Sequence, residues 1–446
     1  MVDNRLHRLF QTRTTTQGDD IFGQYEVVAA HQTLNLTPIK RVAILTESFL
    51  PKVDGVSKTT YLTVRYLQET GREVLIFAPD SSVPNVGDSE VVGLPSVTMP
   101  AATETRIALP IPAIAKRIEA FQPDLIHLAS PALMTVVGMA VGRELNIPVV
   151  ANYQTDLPGY TAQYGFPLLE NPLRSWLRYL HNGCHVNLVP SKSMGDTLRK
   201  QGFRRLRVWG RGVNLDRFNP QHFSQPMRDR LLNGRNPNSI LCLYVGRLAN
   251  EKSVHLLRKV ADIEGIALTI VGDGQSREEL ETLFAGTGTY FTGYLYKDEL
   301  ATAFASADVF VFPGGHETFG QVVQEAMASG LATIVTNQGS VKDLVQEGKT
   351  GFIVDHSTEG FAKAARILQE NRALLQEISE NARSTAEKHP WSAVMAQLED
   401  YYREAVAINQ RFKQMYGYTY YHQPLSFGAI SQRLQEITRE FNKTIS

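Results

Sequence analysis

Residues 309–336 of the chain read VFVFPGGHETFGQVVQEAMASGLATIVT. Apolar runs at 309–312 and 332–336 flank a Gly-rich loop and a helical pattern at 320–329. Each apolar run predicts a strand buried on both faces, and the strand–helix–strand order predicts parallel strands joined by a crossover. The stretch therefore predicts an α/β fold, an open sheet with helices on both faces.

This alternation of strands and helices occurs in two series along the chain. The first begins with RVAILT at 41–46 and ends with LRVWG at 206–210, and the second begins with ILCLYVG at 240–246. After that strand we predict a helix at 251–263, and before it a linker at 219–239, where Pro, Asn and Gly are frequent. The sequence thus predicts two Rossmann-like domains, whose ligands bind at the carboxyl ends of the strands and in the cleft between the domains.

The predicted segments are an N-terminal extension (1–38), a first Rossmann-like domain (39–215), a second one (216–390), and a C-terminal helix and tail (391–446). The extension is polar and aperiodic, which is typical of a tail or a peripheral strap. A length of 446 residues suits two domains.

The amino-acid composition excludes several classes of protein. Lysine and arginine together number 45, as do aspartate and glutamate, so no overall charge attracts nucleic acid or anionic lipid. The two cysteines, Cys184 and Cys242, are too few for a disulfide framework and fit a reducing cytoplasm. No apolar run approaches the ~18 residues of a membrane span, and the start of the chain lacks the apolar region of a secretory signal. We expect a cytoplasmic protein.

Three loops of the second series carry chemically informative residues. They read GRLANEK (246–252), GDGQSR (272–277) and GGHETFG (314–320). Arg247 and Lys252 place two cations after one strand, and Gly320 opens a helix whose free N–H groups suit an anion. Together the loops predict a phosphate or diphosphate subsite. The alternative interpretation is that the cations are solvated loop charges.

Two glutamates accompany these loops. Glu317 lies in the loop before the helix, and Glu325 lies about two turns into it, among apolar residues. A carboxylate only accepts hydrogen bonds, which suits sugar hydroxyl groups, and one in apolar surroundings usually has a partner. Behind a diphosphate, Glu317 could therefore reach a hexose and Glu325 a ribose. The alternative for Glu325 is an ordinary charge on a helix surface.

These motifs resemble a known family. GRLANEK, VGDG, FASADVFVFP and HETFGQVVQEAMASG are similar to the donor domain of retaining GT-B glycosyltransferases of the glycogen-synthase-like class, and Glu317 and Glu325 match its E-x7-E motif. TESFLPKVDGVSKTT, FQPDLIHLASPA, ANYQTDLPGYTAQYG and WGRGVNLDRFNP are similar to its acceptor domain. The resemblance spans about residues 40–410 and is closest to sulfoquinovosyl-diacylglycerol synthases, then to bacterial lipid mannosyltransferases. It implies a C-terminal helix that crosses back to the first domain.

The resemblance also implies roles for particular residues. Arg247 and Lys252 would neutralise the diphosphate, Glu317 would hold the transferred sugar, and His127 would face the sugar from the acceptor side. Further implied residues are Gly55, Gly246, Phe319, Gly320 and Val322 at the phosphates, Glu325 at the ribose, Tyr294 and Leu295 beside the nucleobase, and Tyr153 and Asp156 on the acceptor side. The alternative for His127 is a histidine at a strand end whose neighbours satisfy it.

The class is thought to react by front-face displacement, in which a phosphate oxygen of the donor takes the acceptor proton. This reaction requires no protein nucleophile, and we expect no cofactor. We also expect no metal, since the chain lacks the Asp-x-Asp pairing that holds a divalent ion in the other common glycosyltransferase fold. The remaining metal candidate is HNGCH, with His181, Cys184 and His185, which has no clear fourth ligand nearby.

The expected substrates are a nucleotide diphosphate sugar, with a UDP-sugar favoured, and a lipid such as diacylglycerol, with contact at the inner face of the membrane. A basic cluster at 199–207 with nearby aromatic residues, together with Arg174, Trp176 and Arg178, suggests that face; an ordinary solvated surface is the alternative.

The family pattern is not met everywhere. Gln154 replaces a usual histidine, Asn214 replaces a usual aspartate, and Gly314-Gly315 replaces a position that often has serine. The other functions considered are a GDP-mannose-dependent mannosyltransferase, a sugar-nucleotide epimerase, a non-catalytic sugar-nucleotide-binding protein and, with least support, a dinucleotide oxidoreductase.

Overall fold

The structure is a computed structural model that describes residues 17–30, 33–52, 54–80, 82–99, 102–109, 111–131, 133–159 and 167–416. The chain divides into two compact units. Unit 1 contains the described residues up to 190, with 195–209 and 395–416, and unit 2 contains 191–194 and 210–394. The tail predicted beyond residue 416 lies outside the described residues.

Unit 1 is built on a mostly parallel sheet. Its strands are β1 (Arg41–Leu45), β2 (Glu73–Pro79), β3 (Asn85–Val86), β4 (Ser89–Leu94), β5 (Ser96–Met99), β6 (Ala102–Ala108), β7 (Leu125–Leu128), β8 (Val149–Asn152), β9 (Val186–Val189) and β10 (Leu206–Val208). Its helices are α1 (Gln17–Phe22), α2 (Gly55–Glu69), α3 (Pro112–Phe121), α4 (Leu133–Glu144), α5 (Glu170–Gly183) and most of α6 (Lys192–Lys200).

The strand order of the main sheet is β10-β9-β8-β7-β1-β2-β4-β3, and β5 pairs with β6 separately. Neighbours are parallel except β3 with β4, and β1 lies at the centre, where Ile44 pairs with Ile76 on one side and His127 on the other. The buried pattern of β1 follows from its apolar run, because both faces of a parallel sheet are covered. The predicted parallel sheet is confirmed.

The described part of the N-terminal extension packs on unit 1. Asp19 of α1 accepts hydrogen bonds from Arg65 and Tyr61 of α2, at 2.7 and 2.8 Å. A Cβ atom on Gly18 would lie 2.1 Å from the ring of Tyr61, so the segment follows α2 closely. The extension thus covers one face of α2.

Unit 2 is built on a fully parallel sheet. Its strands are β11 (Ile240–Val245), β12 (Ile266–Val271), β13 (Tyr290–Gly293), β14 (Val309–Phe312), β15 (Ala332–Thr336) and β16 (Gly351–Val354), in the order β13-β12-β11-β14-β15-β16. Its helices are α7 (Gln225–Leu232), α8 (Arg277–Leu283), α9 (Lys297–Ala305), α10 (Gln321–Ala328), α11 (Thr358–Glu370) and α12 (Arg372–Ala386). The predicted stretch 309–336 forms β14, α10 and β15, as expected.

The helix α13 (Trp391–Tyr416) begins in unit 2 and belongs to unit 1 from Met395 onward. In unit 1 its Glu399 bonds Arg72, and its Tyr402 bonds His127. None of the helices that the structure describes is long and apolar enough to cross a bilayer.

Two local predictions were wrong. The segment 219–239 is not a linker, because it contains α7, whose Leu231 and Leu232 are buried in the core of unit 2 and whose Arg228 pairs with Asp308 at 2.9 Å. The segment 251–263 does not form an α-helix. Ser253 has a φ of +53°, a left-handed conformation that ends a helix, so short 3-10 turns form on either side of it.

Candidate functional site

The predicted diphosphate subsite lies at the carboxyl ends of β11, β14 and β15, which are neighbours in the sheet of unit 2. Lys252, after β11, forms an ion pair with Glu317, after β14. A Cβ atom on Gly314 would lie 3.7 Å from Cδ of Lys252, so the lysine stem runs along this loop. The N–H group of Ser340, after β15, donates to the carbonyl oxygen of Glu317 at 3.2 Å. Three loops therefore meet where ligands of such sheets bind.

Arg247 lies in the same loop as Lys252, and its guanidinium group pairs with Glu251 one turn away. The Arg247 side chain is 56% exposed, whereas those of Lys252 and Glu317 are 22% and 26% exposed. Both predicted cations thus have a carboxylate partner, and they differ in accessibility. An arginine has five N–H donors and a lysine three, so each can hold its carboxylate and still donate to a phosphate.

Glycines bring the backbone of the loops together. Gly272, after β12, has a φ of +132°, and a Cβ atom there would lie 2.0 Å from the carbonyl oxygen of Gly246. The N–H group of Leu248 donates to the carbonyl oxygen of Asp273 at 2.9 Å. Gly246 is therefore held against the 272–274 turn, a contact that a larger residue at 272 would prevent.

The helix α10 follows the acidic loop. Gly320 precedes it with a φ of +90°, and a Cβ atom on Gly320 would lie 2.6 Å from Val341. Phe319 and Val322 are partly buried at the start of the helix, and Glu325 is only 8% exposed, between buried Val323 and Ala326. Glu325 is therefore not a solvated surface charge, which excludes the alternative interpretation of this residue.

The two residues predicted beside the nucleobase behave differently. Tyr294 is 50% exposed, and its hydroxyl group donates to the carbonyl oxygen of Asp273 at 3.0 Å. Leu295 is 5% exposed and packs in the core of unit 2, so its side chain is not available to a base. Sequence reasoning missed Tyr296, which is 66% exposed with its ring centroid 5.9 Å from that of Tyr294. An exposed aromatic pair two residues apart is the signal that could have found it.

In unit 1, Gly55 is the first residue of α2, at the carboxyl end of β1. A Cβ atom on Gly55 would meet no described atom within 4 Å, so no described residue requires glycine here. The preceding Asp54 caps the helix by accepting from the N–H group of Ser57 at 2.7 Å. Gly55 therefore begins a 15-residue helix whose N-terminus is capped by Asp54.

The role predicted for His127 is corrected. His127 is 1% exposed; its Nδ1 lies 2.7 Å from the hydroxyl group of Tyr402, and its Nε2 lies 3.1 Å from Oδ1 of Asn152. Burial lowers the pKa of His127 to about 4, so the ring is neutral at pH 7. Both ring nitrogen atoms are engaged inside unit 1, and neither is available to a sugar. The alternative, a strand-end histidine satisfied by its neighbours, is the one that the geometry supports.

The acceptor-side role predicted for Tyr153 is corrected in the same way. Tyr153 is 1% exposed and packs edge-on against His181 and Phe203, with ring centroids 5.3 and 5.6 Å apart. Its hydroxyl group reaches Oδ1 of Asp156 at 3.5 Å, and burial raises the pKa of Tyr153. Tyr153 is therefore a core residue. Asp156 is partly buried and accepts from the N–H group of Gly159 at 3.4 Å.

The residues of the HNGCH motif have separate structural partners. His181 Nδ1 lies 2.8 Å from Oδ1 of Asn187, and His185 Nδ1 accepts from the N–H group of Val149 at 2.9 Å. Burial raises the pKa of the Cys184 thiol to about 12, which disfavours the thiolate that a metal would need. Among the described residues, no group of three histidine, cysteine or acidic side chains is arranged to hold a metal ion.

Sequence reasoning missed one carboxyl group at the edge of the unit 1 sheet. Glu47 follows β1, and its Oε1 accepts from the N–H group of Met134 at 2.9 Å, at the start of α4. Burial raises the pKa of Glu47 to about 7, against the lowering effect of the N–H groups of Met134 and Leu133. An acidic residue directly after a buried strand was the available signal.

The basic cluster also differs from expectation. Phe203 and Trp209 are buried, Arg205 donates to the carbonyl oxygen of Cys184 at 2.8 Å, and Arg207 pairs with Glu404. Aromatic rings therefore do not interleave with free cations on this surface.

Comparison with known proteins gives matches over most of the chain. The model of the family described as "Glycosyltransferase Family 4" matches residues 53–217, and that described as "Glycosyl transferases group 1" matches residues 229–385. The first match falls mainly in unit 1, and the second lies within unit 2.

Among curated proteins, the chain is 37% identical over 377 residues to a sulfoquinovosyl transferase of Arabidopsis thaliana, covering 82% of this chain and 74% of that protein. It is 40% identical over 321 residues to a GDP-mannose-dependent alpha-mannosyltransferase of Mycobacterium tuberculosis, covering 70% and 83%. The solved sucrose-phosphate synthase from Thermosynechococcus elongatus has a TM-score of 0.66 and 20% identity, covering 82% of this chain and 99% of that one. The last similarity concerns the fold alone and confirms the predicted two-domain α/β architecture.

Proposed function

This chain belongs to the group 1 glycosyltransferases, which have the GT-B fold, and we propose that it moves a sugar from a nucleotide diphosphate sugar to the hydroxyl group of a lipid, with retention of configuration. The observation that carries the proposal is the ion pair of Lys252 with Glu317, where the β11 and β14 loops meet. A diphosphate there would lie beside a cation, and its sugar would lie beside a carboxylate.

In the proposed reaction the bond between the anomeric carbon and the diphosphate breaks, and the negative charge on the leaving group grows. Lys252 and Arg247 would stabilise that charge, together with the N–H groups of Phe319 and Val322 at the start of α10. Stabilisation of developing charge is usually the largest contribution to this kind of catalysis. Because side-chain cations supply it, we propose that no metal is required.

Glu317 and Glu325 would divide the rest of the donor between them. Glu317 is partly exposed beside Lys252, a position that suits a sugar hydroxyl group. Glu325 is 8% exposed within α10, and its carboxylate would accept hydrogen bonds from the ribose hydroxyl groups. Tyr294 and Tyr296 would stack on the nucleobase.

We favour a UDP-sugar as donor, such as UDP-sulfoquinovose or UDP-glucose, because the similarity to the sulfoquinovosyl transferase extends over 377 residues. The second candidate is GDP-mannose, which the 40% identity to the mannosyltransferase favours. An epimerase would convert the donor without an acceptor, and a time course with the donor alone separates it from a transferase.

The first experiment measures thermal stabilisation by UDP, GDP and ADP and by their sugar conjugates. A ligand at about 100 times its Kd should add about 2.7 kcal/mol to the free energy of unfolding. UDP and UDP-sugars are expected to stabilise the protein, and stabilisation by GDP alone would select GDP-mannose. Transfer of labelled sugar to diacylglycerol then tests the reaction. The proposal would be contradicted if none of the nucleoside diphosphates stabilised the protein.

For the lipid acceptor we propose that unit 1 rests on an anionic membrane through α5 and the turn beside it. Leu168, Leu169 and Tyr179 are 89%, 54% and 52% exposed. The exposed cation Arg178 donates to the carbonyl oxygen of Gln201, next to exposed Lys200. Each cation near such a surface contributes about 1 kcal/mol to binding. Exposed apolar and basic groups together suit a bilayer surface.

Flotation with vesicles that contain phosphatidylserine tests this surface at low and high salt. Replacement of Arg178, Lys200 and Arg204 by glutamine should reduce flotation of the protein. The control replaces Lys259, Lys342 and Lys349 of unit 2 and should leave it unchanged. Equal flotation of the two variants would contradict the membrane surface.

A further inference from the structure

Glu47 is placed where a substrate of unit 1 would bind, and the proposed function has not used it. It is the second residue after β1, the central strand of the sheet. Ligands of parallel sheets bind at the carboxyl ends of the strands, and this is that edge. Glu47 is partly buried there, next to the loop that leads to Gly55.

Both ends of the residue are held in place. The N–H group of Glu47 donates to Oγ of Ser130 at 2.9 Å, after β7, and its Oε1 accepts from Met134 at 2.9 Å, in α4. Oγ of Ser130 also lies 3.2 Å from Oγ1 of Thr46. The carboxyl group is therefore fixed by two neighbouring elements, as a residue that binds a substrate needs to be.

The neighbouring polar groups at this edge already form hydrogen bonds to other groups of the protein. Ser48 donates to Asp54 at 2.7 Å, Asp54 in turn caps α2, and Gln154 donates to the carbonyl oxygen of Ala129 at 2.9 Å. Glu47 differs from them. Its known donors are the N–H groups of Met134 and Leu133, and a carboxylate can accept about four hydrogen bonds, so it retains capacity for a ligand.

Capping of α4 alone does not account for a glutamate here. Serine, threonine, aspartate and asparagine cap helices well, and the neutral ones do so without burying a charge. Burial raises the pKa of Glu47 to about 7, because these surroundings disfavour its charged form at a cost in free energy. A hydroxyl group that donates to the carboxylate would offset that cost.

We propose that Glu47 binds the hydroxyl group of the acceptor that receives the sugar. This inference rests on the proposed function. The acceptor hydroxyl donates a hydrogen bond to the Glu47 carboxylate, which fixes the acceptor oxygen and leaves one of its lone pairs free to attack. The new bond forms between that oxygen and the anomeric carbon, and the bond from the anomeric carbon to the diphosphate breaks. As these bonds exchange, the single hydroxyl proton leaves its hydrogen bond to Glu47 and passes to an oxygen atom of the leaving diphosphate. Glu47 therefore orients the acceptor as it binds and is not the final base.

The test compares Glu47→Gln with wild type. Glutamine keeps an oxygen that can accept from Met134, so the start of α4 is preserved, but it removes the negative charge that the acceptor hydroxyl would meet. The matched control is Asp124→Asn. Asp124 also accepts from backbone N–H groups, those of Lys40 and Arg41 at 2.7 and 2.9 Å, but at the opposite end of β1.

With dioctanoylglycerol as the acceptor, Glu47→Gln should lower kcat/KM for the acceptor by about tenfold or more, since a charged hydrogen bond to the substrate is lost. The melting temperature and the Kd of the nucleoside diphosphate should match wild type. Glu47→Asp, which keeps the charge on a shorter side chain, should recover part of the loss. Asp124→Asn should have the wild-type kcat/KM.

Wild-type kcat/KM in Glu47→Gln would overturn the inference and leave Glu47 as a helix cap. A Kd for the nucleoside diphosphate that rises together with the loss of transfer would also overturn it, because the residue would then act on the donor. If wild type transfers no sugar at all, the proposed function fails and this inference fails with it. If wild type and Glu47→Gln are equally active, only this inference fails.

Discussion

Arg72 and Glu399 are 327 positions apart in the sequence and form a buried ion pair in unit 1, with Arg72 Nη1 2.8 Å from Glu399 Oε1 and Nη2 2.9 Å from Oε2. Their side chains are 3% and 4% exposed. Glu399 also accepts from the hydroxyl group of Tyr66 at 2.9 Å and the N–H group of Thr37 at 3.0 Å. The pair therefore joins α13 to α2, to the start of β2 and to the N-terminal segment.

We expect Glu399→Ala to lower the free energy of unfolding by about 3–5 kcal/mol, because it leaves Arg72 as an uncompensated buried charge. The control is Asp400→Ala on the same helix, whose pair with Arg403 is exposed and should contribute less than about 1 kcal/mol. Urea denaturation measures both. A similar decrease in the free energy of unfolding in the two variants would show that the buried ion pair contributes no more to stability than the exposed one.

Stability should fall in mild acid because three histidines are buried and neutral in the part of unit 1 that the structure describes. Burial lowers the pKa values of His127 and His181 to about 4 and that of His185 to about 3, from 6.5. In the unfolded chain these groups take up protons below pH 6.5, whereas in the folded state they stay neutral until the pH is much lower. The stability they provide is therefore complete above pH 6.5 and is lost as the pH falls toward 4.

The loss should amount to about 3 kcal/mol for each of His127 and His181 across that interval. Urea denaturation at a series of pH values measures it. His127→Gln, which keeps polar groups at the site without the titration, should show a shallower dependence on pH. A free energy of unfolding that stays constant between pH 6.5 and 4 would refute the assignment.

Lys252→Ala should lower kcat by about a hundredfold or more, because the lysine would stabilise charge that develops in the transition state. Lys259→Ala is the control, since Lys259 is an exposed cation seven positions along the chain that pairs with Glu359. Its turnover should equal wild type. Equal activity of all three proteins would remove Lys252 from the mechanism, and strict dependence on a divalent ion would contradict the proposed replacement of a metal by side-chain cations.

The two glutamates should separate nucleotide binding from sugar transfer. Glu325→Gln should weaken binding of the free nucleoside diphosphate about tenfold or more, because it removes a charged acceptor from the ribose. Glu317→Gln should leave that Kd within about twofold and lower the rate of transfer. Calorimetry and kinetic assays on both variants test the division. If both variants lose affinity for the free nucleoside diphosphate to the same extent, the two glutamates do not divide these roles.

Gly272→Ala should lower the free energy of unfolding by at least about 2 kcal/mol and weaken nucleotide binding, because its Cβ atom would meet the carbonyl oxygen of Gly246 at 2.0 Å. Gly286→Ala is the matched control: Gly286 has a φ of +78°, but a Cβ atom there would meet no described atom within 4 Å. It should cost only the backbone penalty of about 1 kcal/mol. If the two substitutions cost the same, the close approach at Gly246 is unimportant.

The parallel sheets could be predicted because each buried strand is a short apolar run, such as RVAIL in β1 and VFVF in β14. The segment 85–108 could not, because β3 and β5 are short and β6, ATETRIA, is largely polar. Local pattern also misjudged the helix at 251–263, since nothing in ANEKSVHLL reveals the left-handed conformation of Ser253.

Within the site, the sequence located the loops but not the partners of their side chains. Lys252 and Glu317 are 65 positions apart, and their pairing follows from two adjacent strands of a parallel sheet. His127 was misassigned because the hydroxyl group that satisfies it belongs to Tyr402, 275 positions away. The role of an isolated histidine depends on such distant contacts, and a local motif contains no information about them.

The assignment of α13 to unit 1 has a consequence for the order in which the protein is made. The ribosome delivers residues 17–190 before residues 210–394, and Glu399 and Tyr402, which pair with Arg72 and His127, emerge after both of these segments. Unit 2 is almost contiguous, from 210 to 394, and can complete its core while the nascent chain is still attached. Unit 1 therefore cannot complete its core until α13 has been synthesised. In a nascent chain stalled before residue 399, Arg72 would lack its carboxylate partner and His127 would lack the hydroxyl group of Tyr402.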